Sequence, residues 1–565
     1  MATPALPILT VNPAMPRGSA EYEQKRAASL QRLADSIPVA LRLPQHIIDS
    51  APKNVTAIPR QSGLLTEREL HITEAYDAVA LAAALAAKRY SAVEVATAFC
   101  KRAAMAHQLT CCLTDFFMDE ALARARELDN HLAATGQTVG PLHGVPTSIK
   151  AHMPLRNRLL DLGTLSSETV VDYDSHAIAI LRAAGAVFYC KTNQPQLIMH
   201  LESASFHGRT LNPHNTTLTS GGSSGGEAAL QAMRGSVFGV GSDIGGSIRG
   251  PAAFCGIYGF KPTSNLLPRK DGLPGNAAAE LTVPATWGPM SRSLRDMDLF
   301  MSVFSAAKPW RVDPRLNTTP WTGLATPQPA GPLKVGFMMT DGAIQPQPPV
   351  VRALKWAQTQ LQRAATDDDD DDIQVKPFAP LRTQEAAKNA RTAYFPYGID
   401  ATRQSLQDAG EPLLLLSEWT MRDAEAAPTP TTQGLFELSK KKEQFWCDWA
   451  AHWNDQDVDV LICPAFYGPA PSHETAFYWN YTILFNYLDM PGVVIPTPIV
   501  AGPKGTERYG DDDNCLSDEC EHVRRLWDEG DFEGAPIALQ IVARRGHDNE
   551  LFGALEKLKK YLNIE

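Results

Sequence analysis

The segments SGGSSGGE at 220–227 and SDIGGSIRG at 242–250 decide how this chain is read. The thirty-one residues from Ser220 to Gly250 hold ten glycines beside Ser220, Ser223, Ser224, Ser242 and Ser247. A flexible linker is also rich in glycine and serine. It does not carry Glu227, Asp243, Ile244, Ile248 and Arg249, nor an apolar helical stretch such as 228–233. The alternative is a pair of packed turns, in which glycine lets the backbone aim several N–H groups at one point. Beside a serine hydroxyl, such N–H groups make an oxyanion hole around a nucleophile.

Outward from these loops, helical patterns alternate with short apolar runs. Ser91 followed by Glu94 spells a capping box that opens a helix through Val95, Phe99 and Ala103. A second helix is predicted from Asp119 through Leu132, ending near Gly136. Residues 145–150 read as a strand. Asp174 or Ser175 caps a helix ended by Gly185, and 186–190 follow as a buried strand. Past the first loop a helix ends at Gly235, and 237–241 and 257–260 are strand-like. Further strands are predicted at 333–337, 458–462, 493–495 and 537–542, with helices starting at Pro348 and Asp548. This grammar predicts an α/β fold, a mixed twisted sheet covered on both faces by helices. Residues 1–64 read as a helical or extended arm and 65–562 as the catalytic domain. Loop-like insertions are expected near 310–332, 365–373 and 503–534.

Bulk properties narrow the function. The chain has 565 residues, 44% hydrophobic and 20% charged, as in an ordinary soluble globular protein. A net charge of −11 argues against a nucleic-acid partner. No apolar run reaches the roughly 20 residues of a membrane span. The N-terminus lacks a basic region and its apolar run is cut by prolines, so it does not read as a secretory signal. The nine cysteines are odd in number and scattered, which suits reduced thiols and a cytoplasmic location. Cys515, Cys520 and His522 lack a second ligand pair and read as part of an exposed acidic loop rather than a metal site. The aspartate run at 367–372 lacks the alternating spacing of a calcium loop and reads as solvated chain.

A serine nucleophile needs a base. Lys150 ends the apolar segment GVPTSIK, and two readings stand at this point. It is a surface lysine snorkelling past a strand end, or it is desolvated enough to work as a neutral, proton-accepting amine. Tyr258, Phe395, Tyr397, Tyr478 and Trp479 are candidate pocket aromatics, though such residues also build cores.

GGSSGGE at 221–227 and DIGGSIRGPAAFCGIYGFKPT at 243–263 resemble the two halves of the amidase signature, and GPLHGVPTSIK at 140–150 is similar to the segment bearing that family's catalytic lysine. Counterparts such as AGAVFYCKTNQPQ, WGPMSRSLRDMDLF and GAPIALQIVARR extend the likeness over roughly 65–562, towards the fungal acetamidase-like branch. The resemblance implies the amidase-signature fold and a Ser-cisSer-Lys triad. Ser247 is then the nucleophile, Ser223 the bridge and Lys150 the base, with the Gly222–Ser223 peptide cis. N–H groups of Ile244, Gly245, Gly246 and Ser247 would form the oxyanion hole, which would explain the missing side chains at 245 and 246. The Ile198 carbonyl is a further candidate contact for Ser223 or substrate. Asp243 and Arg249 would brace the nucleophile loop, and Ser224 and Ser242 would be structural hydrogen-bonders. The implied substrate is a small or medium amide, split without metal or other cofactor into acid and amine. A homodimer is compatible with this. The chain departs from the pattern at Ala151, where aspartate is usual, at Leu160 and Asp161, where small hydroxyl residues are common, and at Ala228 and Ala543, which replace glycines. Two alternatives remain open: an amidase-fold binding or scaffold protein with an impaired site, and an amidotransferase-type subunit.

Overall fold

The computed structural model describes residues 15–272, 283–327, 331–367, 373–395, 398–426, 431–510 and 514–565. In chain order its main strands are β1 (Leu113–Phe116), β2 (Pro146–Lys150), β3 (Val187–Thr192), β4 (Phe238–Asp243), β5 (Tyr258–Lys261) and β6 (Thr286–Ser291). They continue with β7 (Leu333–Phe337), β8 (Ile373–Pro377), β9 (Val460–Pro464), β10 (Gly492–Val500) and β11 (Pro536–Val542). These eleven strands form one sheet in the order β1-β3-β2-β4-β6-β5-β10-β11-β9-β7-β8. Neighbours β3, β2 and β4 run parallel, as do β9, β7 and β8, and the remaining neighbours are antiparallel.

Both faces of this sheet are buried, which is why its strands read as continuous apolar runs. Side chains alternate across a strand, and here the two sets enter different cores. Val493, Ile537, Leu539 and Ile541 lie in one cluster, while Val494, Ala538 and Val542 lie in the other. Helix Ala92–Thr110 packs on β2 and β3, and helix Arg249–Cys255 on β5, β10 and β11. The capping box forms as expected, with Glu94 N–H donating to Ser91 Oγ at 3.1 Å and Ser91 N–H to Glu94 Oε2 at 2.8 Å. The second helix, Met118–Thr135, ends on Gly136 in the left-handed region, at φ 70°.

Two stretches differ from the sequence reading. The acidic 503–534 stretch is not all loop, since Ser517 caps a helix over Asp518–Glu529. Cys520 is accordingly buried and accepts the Gln345 N–H, and His522 Nδ1 pairs with Tyr478 Oη at 2.9 Å, so neither belongs to an exposed loop. Only Cys515 of that trio is exposed. The helix escaped notice because its buried stripe is just Cys520 and Val523 among acidic neighbours. Among the described residues, four helices follow at Thr383–Ala393, Asp400–Asp408, Leu415–Glu425 and Thr432–Gln456, none of them expected from the sequence. Most of the aspartate run, at 368–372, and Tyr397 lie outside the described residues.

The nine cysteines are free thiols. Among the described residues no helix is long and apolar enough to cross a membrane, and no three His, Cys, Asp or Glu side chains cluster as metal ligands.

Candidate active site

Lys150 ends β2, and the pairing of Ile149 with Val240 brings Ser242, near the end of β4, alongside it. The lysine side chain is fully buried, so the snorkelling reading fails. Its Nζ donates to Ser223 Oγ at 2.5 Å and to Ser242 Oγ at 3.1 Å. Burial pushes the amine's pKa well below its ordinary 10.5, against the opposing pull of the Asp243 and Glu227 carboxylates. Glu227 weakens that pull. Burial raises its own pKa to about 7, although Ser148 and Thr192 hydroxyls donate to it at 2.6 and 2.9 Å.

The second glycine loop hangs on a buried ion pair. Arg249 and Asp243 are 0% and 1% exposed, and Arg249 Nε and Nη2 each donate to the carboxylate at 3.1 Å. Nη2 also reaches the Thr482 carbonyl at 2.9 Å and Asn486 Oδ1 at 2.6 Å, tying the loop to helix Asn480–Tyr487. Asn486 Nδ2 returns a bond to Asp243 Oδ1 at 2.8 Å. Burial works against the Asp243 carboxylate, but the adjacent guanidinium prevails and holds its pKa below the usual carboxylate range.

The carboxylate also takes the N–H of Gly246 at 2.8 Å and of Ile248 at 3.1 Å. Gly246 must therefore be removed from the expected oxyanion donors, because its hydrogen is already committed. The N–H groups of Ile244, Gly245 and Ser247 have no partner among the described residues. The absent side chains have another cause as well. Gly246 has φ +130°, and a Cβ there would sit 2.2 Å from Thr482 Oγ1, while one on Gly245 would sit 2.7 Å from Tyr394 Oη.

The first loop faces the second. The Gly222–Ser223 peptide is cis, and a Cβ on Gly222 would meet the His200 carbonyl at 2.3 Å. Ser224 N–H donates to the Ser247 carbonyl at 3.1 Å, and Ser224 Oγ accepts the Ser242 N–H at 3.3 Å, stitching the two loops together. Ser247 is 7% exposed, and its hydroxyl has no hydrogen-bond partner among the described residues. Ser223, Ser242, Ile244 and Ser247 line one cavity of about 680 Å³. Ile198 lines it too, with φ 60°, but its carbonyl makes no hydrogen bond to Ser223.

Apolar side chains, among them Leu162, Met199, Trp287, Phe395 and Leu406, form much of the remaining wall. Of the candidate aromatics among the described residues, only Phe395 lines this cavity. Tyr258 instead accepts the Glu565 N–H, Trp479 packs behind Gly245, and Tyr478 belongs to the His522 contact. Sequence reading missed Tyr394, whose Oη donates to the Ile244 carbonyl at 2.7 Å, and His152. Tyr394 adjoins the candidate aromatic Phe395 in the chain, whereas nothing local marks His152.

The family model described as Amidase matches residues 94–552. The chain is 41% identical over 512 residues to a candidate amidase of Schizosaccharomyces pombe, covering 90% of this chain and 93% of that one. It is 33% identical over 555 residues to an acetamidase of Emericella nidulans, covering 96% and 98%. Among solved structures a fatty acid amide hydrolase superposes with a TM-score of 0.90 at 33% identity, over 99% of this chain and 98% of that chain. Fold and matches together define a hydrolase built on a mixed sheet flanked by helices. The chain belongs to the amidase family and acts on amide C–N bonds.

Proposed function

We propose that this amidase works through Lys150, Ser223 and Ser247 and that its substrate is a carboxylic amide with an apolar acyl group of medium size. Ser247 Oγ attacks the amide carbonyl while its proton passes by way of Ser223 to neutral Lys150. The tetrahedral oxyanion is held by the N–H groups of Ile244, Gly245 and Ser247. Lys150 returns the proton through Ser223 to the amine, the C–N bond breaks, and an acyl-enzyme forms. Water, activated by the same relay, releases the acid. The reduced thiols fit a cytoplasmic setting.

The observation that carries this reading is Lys150 itself, buried and bonded to Ser223 with its pKa lowered. Only the neutral amine accepts a proton. Activity is therefore expected to rise with pH through an ionisation well below 10.5 and to stay high on the alkaline side. Lys150→Ala should remove that limb, and it should slow amides about tenfold more than matched esters, since an amine leaving group needs a delivered proton. Equal losses on both substrates, or an unchanged pH profile, would assign Lys150 a merely positional role.

The acyl preference follows from the apolar wall. Each methylene buried is worth about 0.8 kcal/mol, or about fourfold in kcat/KM. From acetamide upward, kcat/KM is expected to climb by roughly that factor per carbon until the cavity of about 680 Å³ is filled. A panel of straight-chain amides on which acetamide is the best substrate would refute the medium-acyl reading.

A further inference from the structure

Two departures from the family pattern, Ala151 and Asp161, frame a buried chain of polar side chains that ends in the cavity. His152 Nδ1 lies 2.8 Å from Gln194 Oε1. Gln194 Nε2 donates to the Asp161 carbonyl at 2.8 Å and to Asp161 Oδ1 at 3.3 Å, and Asp161 Oδ2 lies 3.3 Å from His207 Nε2. All four residues are at most 3% exposed.

This chain fixes a tautomer. Two Asp161 oxygens face one end of the Gln194 amide, so that end must be the NH₂ and the other the carbonyl. The carbonyl accepts only, so His152 carries its hydrogen on Nδ1. Nε2 is left with a lone pair and no hydrogen-bond partner among the described residues, and His152 lines the same cavity as Ser223 and Ser247. Burial, reinforced by nearby Lys150, lowers the imidazole pKa to about 3, so the ring stays neutral at any working pH.

We infer that His152 Nε2 accepts a hydrogen bond from the N–H of the scissile amide, making His152 the residue that sets the preference for amides bearing N–H over esters and tertiary amides. It rests on the reading of Ser247, Ser223 and Lys150 given above. His152 follows Lys150 by two residues and lines the same cavity as Ser223, from which the leaving nitrogen takes its proton in this reading. A primary amide offers hydrogens there. An ester oxygen or a dialkylated nitrogen offers a lone pair or alkyl groups to a fixed acceptor, an unmatched or repulsive contact.

The test compares a primary amide, its N,N-dimethyl analogue and the matching ester in wild type, His152→Phe, His152→Gln and Gln194→Leu. His152→Phe is expected to lose at least about tenfold more kcat/KM on the primary amide than on the ester or the tertiary amide. His152→Gln, which keeps an acceptor, should recover part of that difference. Gln194→Leu, which frees the tautomer, should move selectivity in the same direction as His152→Phe. The tertiary amide separates this effect from that of Lys150→Ala, which slows both amides. Equal losses on all three substrates, in variants that still take a fluorophosphonate on Ser247, would overturn the assignment to His152 alone. A wild-type enzyme that takes no label and splits no amide would overturn the underlying reading and this one with it.

Discussion

Ser247→Ala is expected to lower kcat/KM for the preferred amide by on the order of 10⁴-fold or more, because no acyl-enzyme can form without the hydroxyl. The side chain makes no hydrogen bond among the described residues, so the fold should not notice the change. An unaltered melting temperature beside lost turnover is the combined expectation. Ser223→Ala should fall in the same range, because the members of a relay act as one unit and their effects do not add. Turnover within tenfold of wild type in Ser247→Ala would displace the nucleophile from Ser247.

The second large effect concerns stability. Asp243→Ala strands Arg249, which is 0% exposed, with no counter-charge, and it leaves the Gly246 and Ile248 N–H groups without their acceptor. Breaking one side of a buried ion pair costs about 3–5 kcal/mol, and chemical denaturation should read a loss of that order. Replacing both partners, as Asp243→Leu with Arg249→Met, should recover a substantial part, because no unpaired charge then remains. The pH dependence has a definite sign. The folded pKa of Asp243 lies below its ordinary 3.8, so its contribution is complete above that pH and is lost as acid protonates the carboxylate. A single-mutant loss under about 1 kcal/mol would show that the pair does not hold the loop.

What the sequence made legible was local. The two glycine loops and the strand ending at Lys150 are contiguous motifs; Lys150 bonds to Ser223 and Ser242, and Ser223 and Ser247 line one cavity. Long apolar strands were legible too, because both faces of the sheet are buried. β6 was not, since Pro289 sits inside it and reads as a breaker. Whatever depends on convergence from distant segments was also invisible. Tyr394 and Thr482 explain Gly245 and Gly246, yet both lie more than a hundred residues away from those glycines in the chain. Asp243 was marked as a brace, but nothing in the motif says that it consumes the Gly246 N–H. His152 and Gln194 lie on different segments, joined only because β2 and β3 are parallel neighbours.

The central claim is that Ser247 is a nucleophile activated through Ser223 by a neutral lysine. Fluorophosphonate labelling followed by peptide mass mapping tests it most directly, since the probe loses fluoride only to an activated hydroxyl. The account predicts a single adduct on Ser247, formed faster as pH rises, absent from Ser247→Ala and slowed in Lys150→Ala. An adduct on any other serine, or an unlabelled enzyme that still hydrolyses its amide, would contradict it.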